Sequence, residues 1–213
     1  MFGKWFGKKE EKTRILEKPE ELNVGDMVEM VDSFGLPAEI RGETFQIMEI
    51  NTYEYKHARE TEFLLQGSEG IPLHLTVEVE DGEEWLNFTR KIERSDVEQL
   101  FDMDAFGLVF DEEVSRESIR VIGDSSKYER WLADSYYQEG EWTRGYFHKS
   151  DFRKKSISRY EDDDNGEAFE SVSLVSEDDM HRVEIEVWED GTTDVSIGVS
   201  RPIADIKALY GKT

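Results

Sequence analysis

Residues 77–101 read VEVEDGEEWLNFTRKIERSDVEQLF, and residues 183–210 read VEIEVWEDGTTDVSIGVSRPIADIKALY. Setting Glu80-Asp81-Gly82 over Glu189-Asp190-Gly191 and reading on without a gap places Leu86 on Val195, Phe88 on Ile197 and Asp96 on Asp205. Val97 then falls on Ile206, Leu100 on Leu209 and Phe101 on Tyr210. Each stretch predicts a strand, a Gly-centred turn, a returning strand and a short amphipathic helix. The chain is therefore expected to hold two similar β-rich units in tandem, with most of its length spent on scaffold.

Working outward, Leu73, Leu75, Val77 and Val79 alternate with His74, Thr76, Glu78 and Glu80. A period of two marks a half-buried antiparallel strand. Asp81-Gly82 supplies the hairpin turn. Ser95 is the expected N-cap, with Glu98 at capping-box spacing, of a helix ending near Phe101. Upstream, Gly25-Asp26 turns into a strand carrying Met27, Val28 and Met30. Residues 44–55 form the next strand, with Phe45, Ile47 and Ile50 inward, and residues 62–66 a third. Downstream, residues 102–127 form a connector with short strands at 107–110 and 119–122. A hairpin turn is expected at Glu139-Gly140-Glu141, with strands near 155–160, 168–175, 182–188 and 194–200. Pro202 suits the first turn of a last helix ending near Tyr210-Gly211. Consecutive hairpins favour a meander sheet, rolled or half-barrelled. The fold class is mainly β (β-rich α+β): two tandem antiparallel sheet or half-barrel units, each closed by a short helix. The division is a segment and linker at 1–20, unit one at 21–104 and unit two at 105–213.

Composition narrows the function. Fifty Asp and Glu face 26 Lys and Arg among 213 residues, a net charge of −24. Such a surface repels polyanions, so nucleic acid is excluded as the main partner. Basic proteins, cations and polyamines fit it. The chain has no Cys, which removes disulfides, thiolate catalysis and Cys-based zinc sites. Twelve Phe, eight Tyr and five Trp supply large buried area and argue for folded domains. No apolar run approaches the roughly 20 residues of a membrane span, and the first residues lack the apolar central stretch of a secretory signal, so none is expected. The expected location is the cytoplasm, with peripheral contact at the inner face of the membrane.

That contact is assigned to residues 1–14, MFGKWFGKKEEKTR, which carry a net charge of +3. Phe2, Trp5 and Phe6 stand beside Lys4, Lys8 and Lys9. Aromatic rings among lysines suit the headgroup region of an anionic membrane or a groove on a partner.

Motifs for chemistry are sparse. In the acidic loop at 161–167, Glu161, Asp163 and Asn165 take calcium-loop positions one, three and five when Gly166 is position six. Position twelve is then Val172 where a bidentate Glu is required, so a solvated hairpin turn is the better reading and no metal is expected. The four histidines have neither i, i+4 spacing nor an HExxH context. His74 shares a polar strand face with Glu78 and Glu80, a set suited to a hard metal or to acid–base work. GxSxG, GxGxxG and GxxxxGK[ST] are absent, and no cofactor is expected. Trp131, Tyr136, Tyr137 and Trp142 lie in an aromatic-rich stretch that suits a protein-binding face or cross-strand pairs within a sheet.

LNVGDMVEM at 22–30 and TEFLLQGSEGIPLHLTVEVEDGEEWLNFTRKI at 61–92 resemble a family of uncharacterised bacterial β-rich domain proteins. Its members are often encoded beside PspA-type membrane-stress and polyamine-related genes. The resemblance covers residues 22–92 and implies an accessory role near such a system, with a PspA-like protein partner and no catalytic residues. The leading expectation is thus a non-enzymatic adaptor acting by protein–protein recognition. One alternative is a polyamine or divalent-cation binding module, and a second is an enzyme with a His/carboxylate site near His74. The sequence leaves the oligomeric state open.

Overall fold

A computed structural model describes residues 14–80, 82–111, 113–155 and 166–212. Its strands are β1 (Met27–Met30), β2 (Thr44–Tyr55), β3 (Arg59–Gln66), β4 (Pro72–Glu80) and β5 (Glu83–Ile92). Two short helices follow, α1 (Arg94–Leu100) and α2 (Met103–Gly107). The second half contributes β6 (Ile119–Arg120), β7 (Ser135–His148), β8 (Glu167–Val175), β9 (His181–Trp188), β10 (Thr193–Pro202) and β11 (Ile206–Tyr210). The mainly β class expected from the sequence is what forms.

All these strands belong to one antiparallel sheet, in the order β11-β1-β2-β3-β4-β5-β10-β9-β8-β7-β6. A further pairing of β2 with β7, from Thr52 opposite His148 to Tyr55 opposite Gly145, closes eight of them into a ring. Strand β2 serves both parts. Its start pairs with β1, its register shifts between Ile47 and Glu49, and its end joins the ring. A bulge of this kind bends a strand and so lets it leave one layer for another.

The two aligned stretches meet at the β5–β10 seam. The offset that places Leu86 on Val195 also places Thr89 on Gly198, and these two are direct pairing partners. Strands β5 and β10 are therefore related by a local two-fold at that pair, whereas the same offset sets Leu75 of the outer wall on Glu184 of the cavity and so does not extend to β4 and β9. A Cβ at 198 would sit 3.1 Å from both the Phe88 carbonyl and Thr89 Cγ2, so only glycine fits the seam comfortably.

Alternation gives the ring two unlike walls. Phe63, Leu75 and Phe88 are paired in register across neighbouring strands, as are Ile197, Val183 and Leu174. These side chains are fully buried, in one cluster with Leu22, Leu36 and Ile40 and with Val97, Leu100, Phe101, Phe106, Val109 and Trp131. Residues 14–43 and the 94–133 connector thus cover the apolar wall. The other wall is polar and concave. Tyr53 on β2 and Phe169 on β8 have ring centroids 5.4 Å apart although β7 lies between their strands. In a flat sheet, strands two apart are separated by about 9.5 Å. The polar wall is therefore the inside of the barrel.

The segment before β1 is tied down by Arg153. Its guanidinium donates to the carbonyls of Glu20 and Leu22, at 2.5 and 2.8 Å, and pairs with Asp151 at 2.8 Å. The same group lies over the Phe63 ring.

Several local expectations are corrected. The last helix does not form: residues 203–205 make one 3₁₀ turn and the chain continues as β11, whose amides are satisfied by pairing with β1. Only the first of the two aligned stretches therefore ends in a helix. Glu93, not Ser95, is the N-cap of α1, and no side chain caps it. Residues 107–110 end α2 and form a 3₁₀ turn instead of a strand. Gly140 does not mark a hairpin: β7 runs through it with φ +76° and a register shift between Glu139 and Thr143. The strand expected at 155–160 lies, apart from its first residue, outside the described residues.

Candidate functional site

The barrel encloses a cavity of about 520 Å³ lined by side chains from all eight strands. Eight-stranded barrels have interiors just wide enough for packed side chains or for one small ligand. This one is left open because its inward positions are polar and do not close on one another.

Four carboxylates dominate it. Glu60 and Glu62 are alternate residues of β3, and Glu184 and Glu186 alternate residues of β9. Strands β3 and β9 are four steps apart by either route around the ring, so these pairs stand on opposite walls. Glu62 is held by Asn51 Nδ2 at 3.0 Å and by His74 Nδ1 at 2.9 Å. Glu184 accepts from Ser173 Oγ at 2.6 Å. Glu186 accepts from the Tyr53 phenol.

Electrostatics follow from that crowding. Burial, with the charges of Glu60 and Glu139, pushes Glu184 up to about 7 against the opposing pull of Ser173 and Arg182. Burial, with the charges of Glu62, Glu184 and Asp194, pushes Glu186 up to about 7 despite its bond from Tyr53. Glu60 also reaches solvent, yet burial and the charge of Glu78 raise it. For His74, burial works downward, but the hydrogen bond and charge of Glu62 and the charge of Glu186 outweigh it, and the imidazole is raised. Charged groups buried without a partner either take up protons or need a counter-ion.

Nearby cations are engaged elsewhere. Lys91 is 2.5 Å from Asp194 and Lys149 is 3.4 Å from Glu49. Arg182 reaches toward Glu139 at 3.8 Å and Glu78 at 4.0 Å. Asn51 is 4 % exposed, and its Oδ1 has no hydrogen-bond partner among the described residues. A buried acceptor left open in a cavity wall awaits a donor.

Aromatic rings complete the lining. Tyr53, Tyr55, Phe147 and Trp188 border the cavity, with Phe169 wedged behind them. Phe147 and Trp188 meet at 5.8 Å, and Trp188 Nε1 donates to Asp194 at 3.0 Å. The cavity thus offers carboxylates and ring faces together, which suits a positively charged organic group.

The residues singled out from sequence fare differently. His74 and Glu78 do line the cavity, but the partner of His74 is Glu62 on the neighbouring strand. Trp131 and Tyr136 are fully buried and leave no ring surface for a partner: Trp131 donates to Glu39 and the Tyr136 hydroxyl accepts from the Ala133 amide. Trp142 is half-buried and donates to the Val109 carbonyl, while Tyr137 is exposed. Phe2, Lys4, Trp5, Phe6, Lys8 and Lys9 lie outside the described residues, as do Glu161, Asp163 and Asn165. Among the described residues, no group of three or more His, Asp or Glu is arranged to hold a metal ion. No helix among them is long and apolar enough to cross a membrane. Sequence reasoning missed Glu60, Glu62, Glu184 and Glu186. The available signal was two Glu-x-Glu pairs, each on a strand whose intervening residues are apolar or small.

Comparison of the chain with family models, with curated proteins and with solved structures yields no match.

Proposed function

We propose that this protein is a binding module that takes a small organic cation, an amine in its ammonium form, inside the barrel. One observation carries the reading: Glu60, Glu62, Glu184 and Glu186 line a cavity of about 520 Å³ from opposite walls, while Lys91, Lys149 and Arg182 lean toward other carboxylates. A bound ammonium offsets that repulsion, donates to the carboxylates and packs its carbon chain on Tyr53, Tyr55 and Trp188. The open acceptor of Asn51 supports the same reading, because an ammonium carries donors only. Recognition is the whole mechanism in this proposal: the walls desolvate the cation and the carboxylates replace its water. The accessory role implied by the family resemblance is compatible with such a module.

The test is titration of the full chain with n-butylamine and with n-butanol, followed by tryptophan fluorescence in wild type and in Trp188→Phe. A saturable change with the amine alone, lost in Trp188→Phe, is expected. Equal responses to amine and alcohol, or no saturable response, would refute the proposal.

A further inference from the structure

The four carboxylates are ordered as well as clustered. Strands β3 and β9, four antiparallel steps apart, run parallel, so their glutamates follow one another in the same direction along the cavity, Glu60 with Glu184 and Glu62 with Glu186. These are two rungs, each joining β3 to β9. Within each strand the two glutamates are two residues apart. A strand rises about 3.3 Å per residue, so the rungs are separated by roughly 6.6 Å. Each rung has its own hydrogen-bonding escort, Asn51 and Tyr53 at the first and Ser173 at the second.

The two rungs differ in what already neutralises them. His74 touches Glu62 at 2.9 Å and offsets the first when protonated. Arg182 offsets part of the second, but it leans toward Glu78 and Glu139, and its Nε has no hydrogen-bond partner among the described residues. Each rung therefore keeps room for one added positive charge.

We propose, resting on the organic-cation reading above, that the two rungs select a linear diammonium ion with charged ends about 6–7 Å apart over a monoamine of equal length. A saturated chain of four carbons between two nitrogens spans about 6 Å when extended. One ammonium sits between Glu62 and Glu186, the other between Glu60 and Glu184. The methylenes cross the gap against Tyr53 and Tyr55, whose positions on β2 follow the same two-residue step. A monoamine satisfies one rung and leaves the other protonated or unbalanced. A diamine two carbons long is too short to serve both.

The experiment is calorimetric titration of the full chain at pH 7.5, a condition chosen for the test, with 1,4-diaminobutane, 1,2-diaminoethane and n-butylamine. Wild type is compared with Glu60→Gln/Glu184→Gln, which neutralises one rung with isosteric side chains. The four-carbon diamine is expected to bind one to one and at least about tenfold more tightly than the other two amines. The double variant is expected to lower its affinity to that of n-butylamine while leaving n-butylamine within about threefold of wild type. If n-butylamine binds wild type as tightly as the diamine, the two-rung selection falls and the organic-cation reading stands. If no amine binds wild type, the cation reading itself falls.

Discussion

Ser173 on β8 donates its hydroxyl to Glu184 on β9 at 2.6 Å, yet burial still pushes that carboxyl up to about 7. The groups facing Glu184 are Ser173, Arg182, Glu60 from β3 and Glu139 from β7. In the unfolded chain the same carboxyl titrates near 4.5. Between these values the folded protein binds more protons than the unfolded chain, so stability falls as pH rises through the window. Glu186, facing Glu62, Tyr53, Asp194 and His74, behaves alike. Glu184→Gln is therefore expected to raise the melting temperature at pH 8 by several degrees, from a gain of about 1–3 kcal/mol. At pH 4.5 it should change little. Thermal melts at both pH values check this, and a lower melting temperature at pH 8 would contradict it.

On the organic-cation proposal, a cation entering the barrel displaces those protons. Calorimetry of amine binding at pH 7 should therefore give heats that differ between phosphate and Tris, with net proton release to the buffer. By pH 9 both carboxyls are already ionised and the net proton release should vanish. Buffer-independent heats at pH 7 would mean that Glu184 and Glu186 are not the groups engaged.

Arg153 holds the Glu20 and Leu22 carbonyls and Asp151 with one planar guanidinium. A lysine cannot reproduce that fork. Arg153→Lys should destabilise the fold nearly as much as Arg153→Ala, by about 2–3 kcal/mol. Denaturant melts check this, and a lysine variant as stable as wild type would show that charge alone suffices.

Gly145 lies where β7 meets both β2 and β8. A Cβ there would come within 2.5 Å of Phe169 Cζ and 3.2 Å of the Glu54 carbonyl. Gly145→Ala should force Phe169 off Tyr53 and Trp188 at a cost of about 1–3 kcal/mol. A lower melting temperature and altered near-ultraviolet circular dichroism are the expected readouts.

Much of the fold was legible. The alternation of Leu73 to Glu80 placed β4 and told its two faces apart, and residues 44–55 coincide with β2. Ile203 to Tyr210 misled because an amphipathic helix and a turn followed by a short, half-buried edge strand share much of their apolar pattern. What decided the matter is long-range: β1 offers Met27 to Met30 as a partner edge. Part of the site was visible in His74 and Glu78. Glu60, Glu62, Glu184 and Glu186 were not, because a strand's polar face reads the same whether it meets bulk water or the inside of a barrel. That depends on closure by β2 and β7, whose paired residues are 96 apart at Thr52 and His148.

The inverted walls give this molecule two separate ways to fail. Lesions in the covering segments, such as loss of Trp131 or Phe106, would bare a cylinder of Phe, Leu, Ile and Val, and the consequence is aggregation. Lesions among the interior glutamates relieve repulsion and leave a sturdier protein that, on the organic-cation proposal, no longer holds its cation. The apolar outer wall and the polar inner wall of the same eight strands thus fail in opposite directions, one toward aggregation and the other toward added stability.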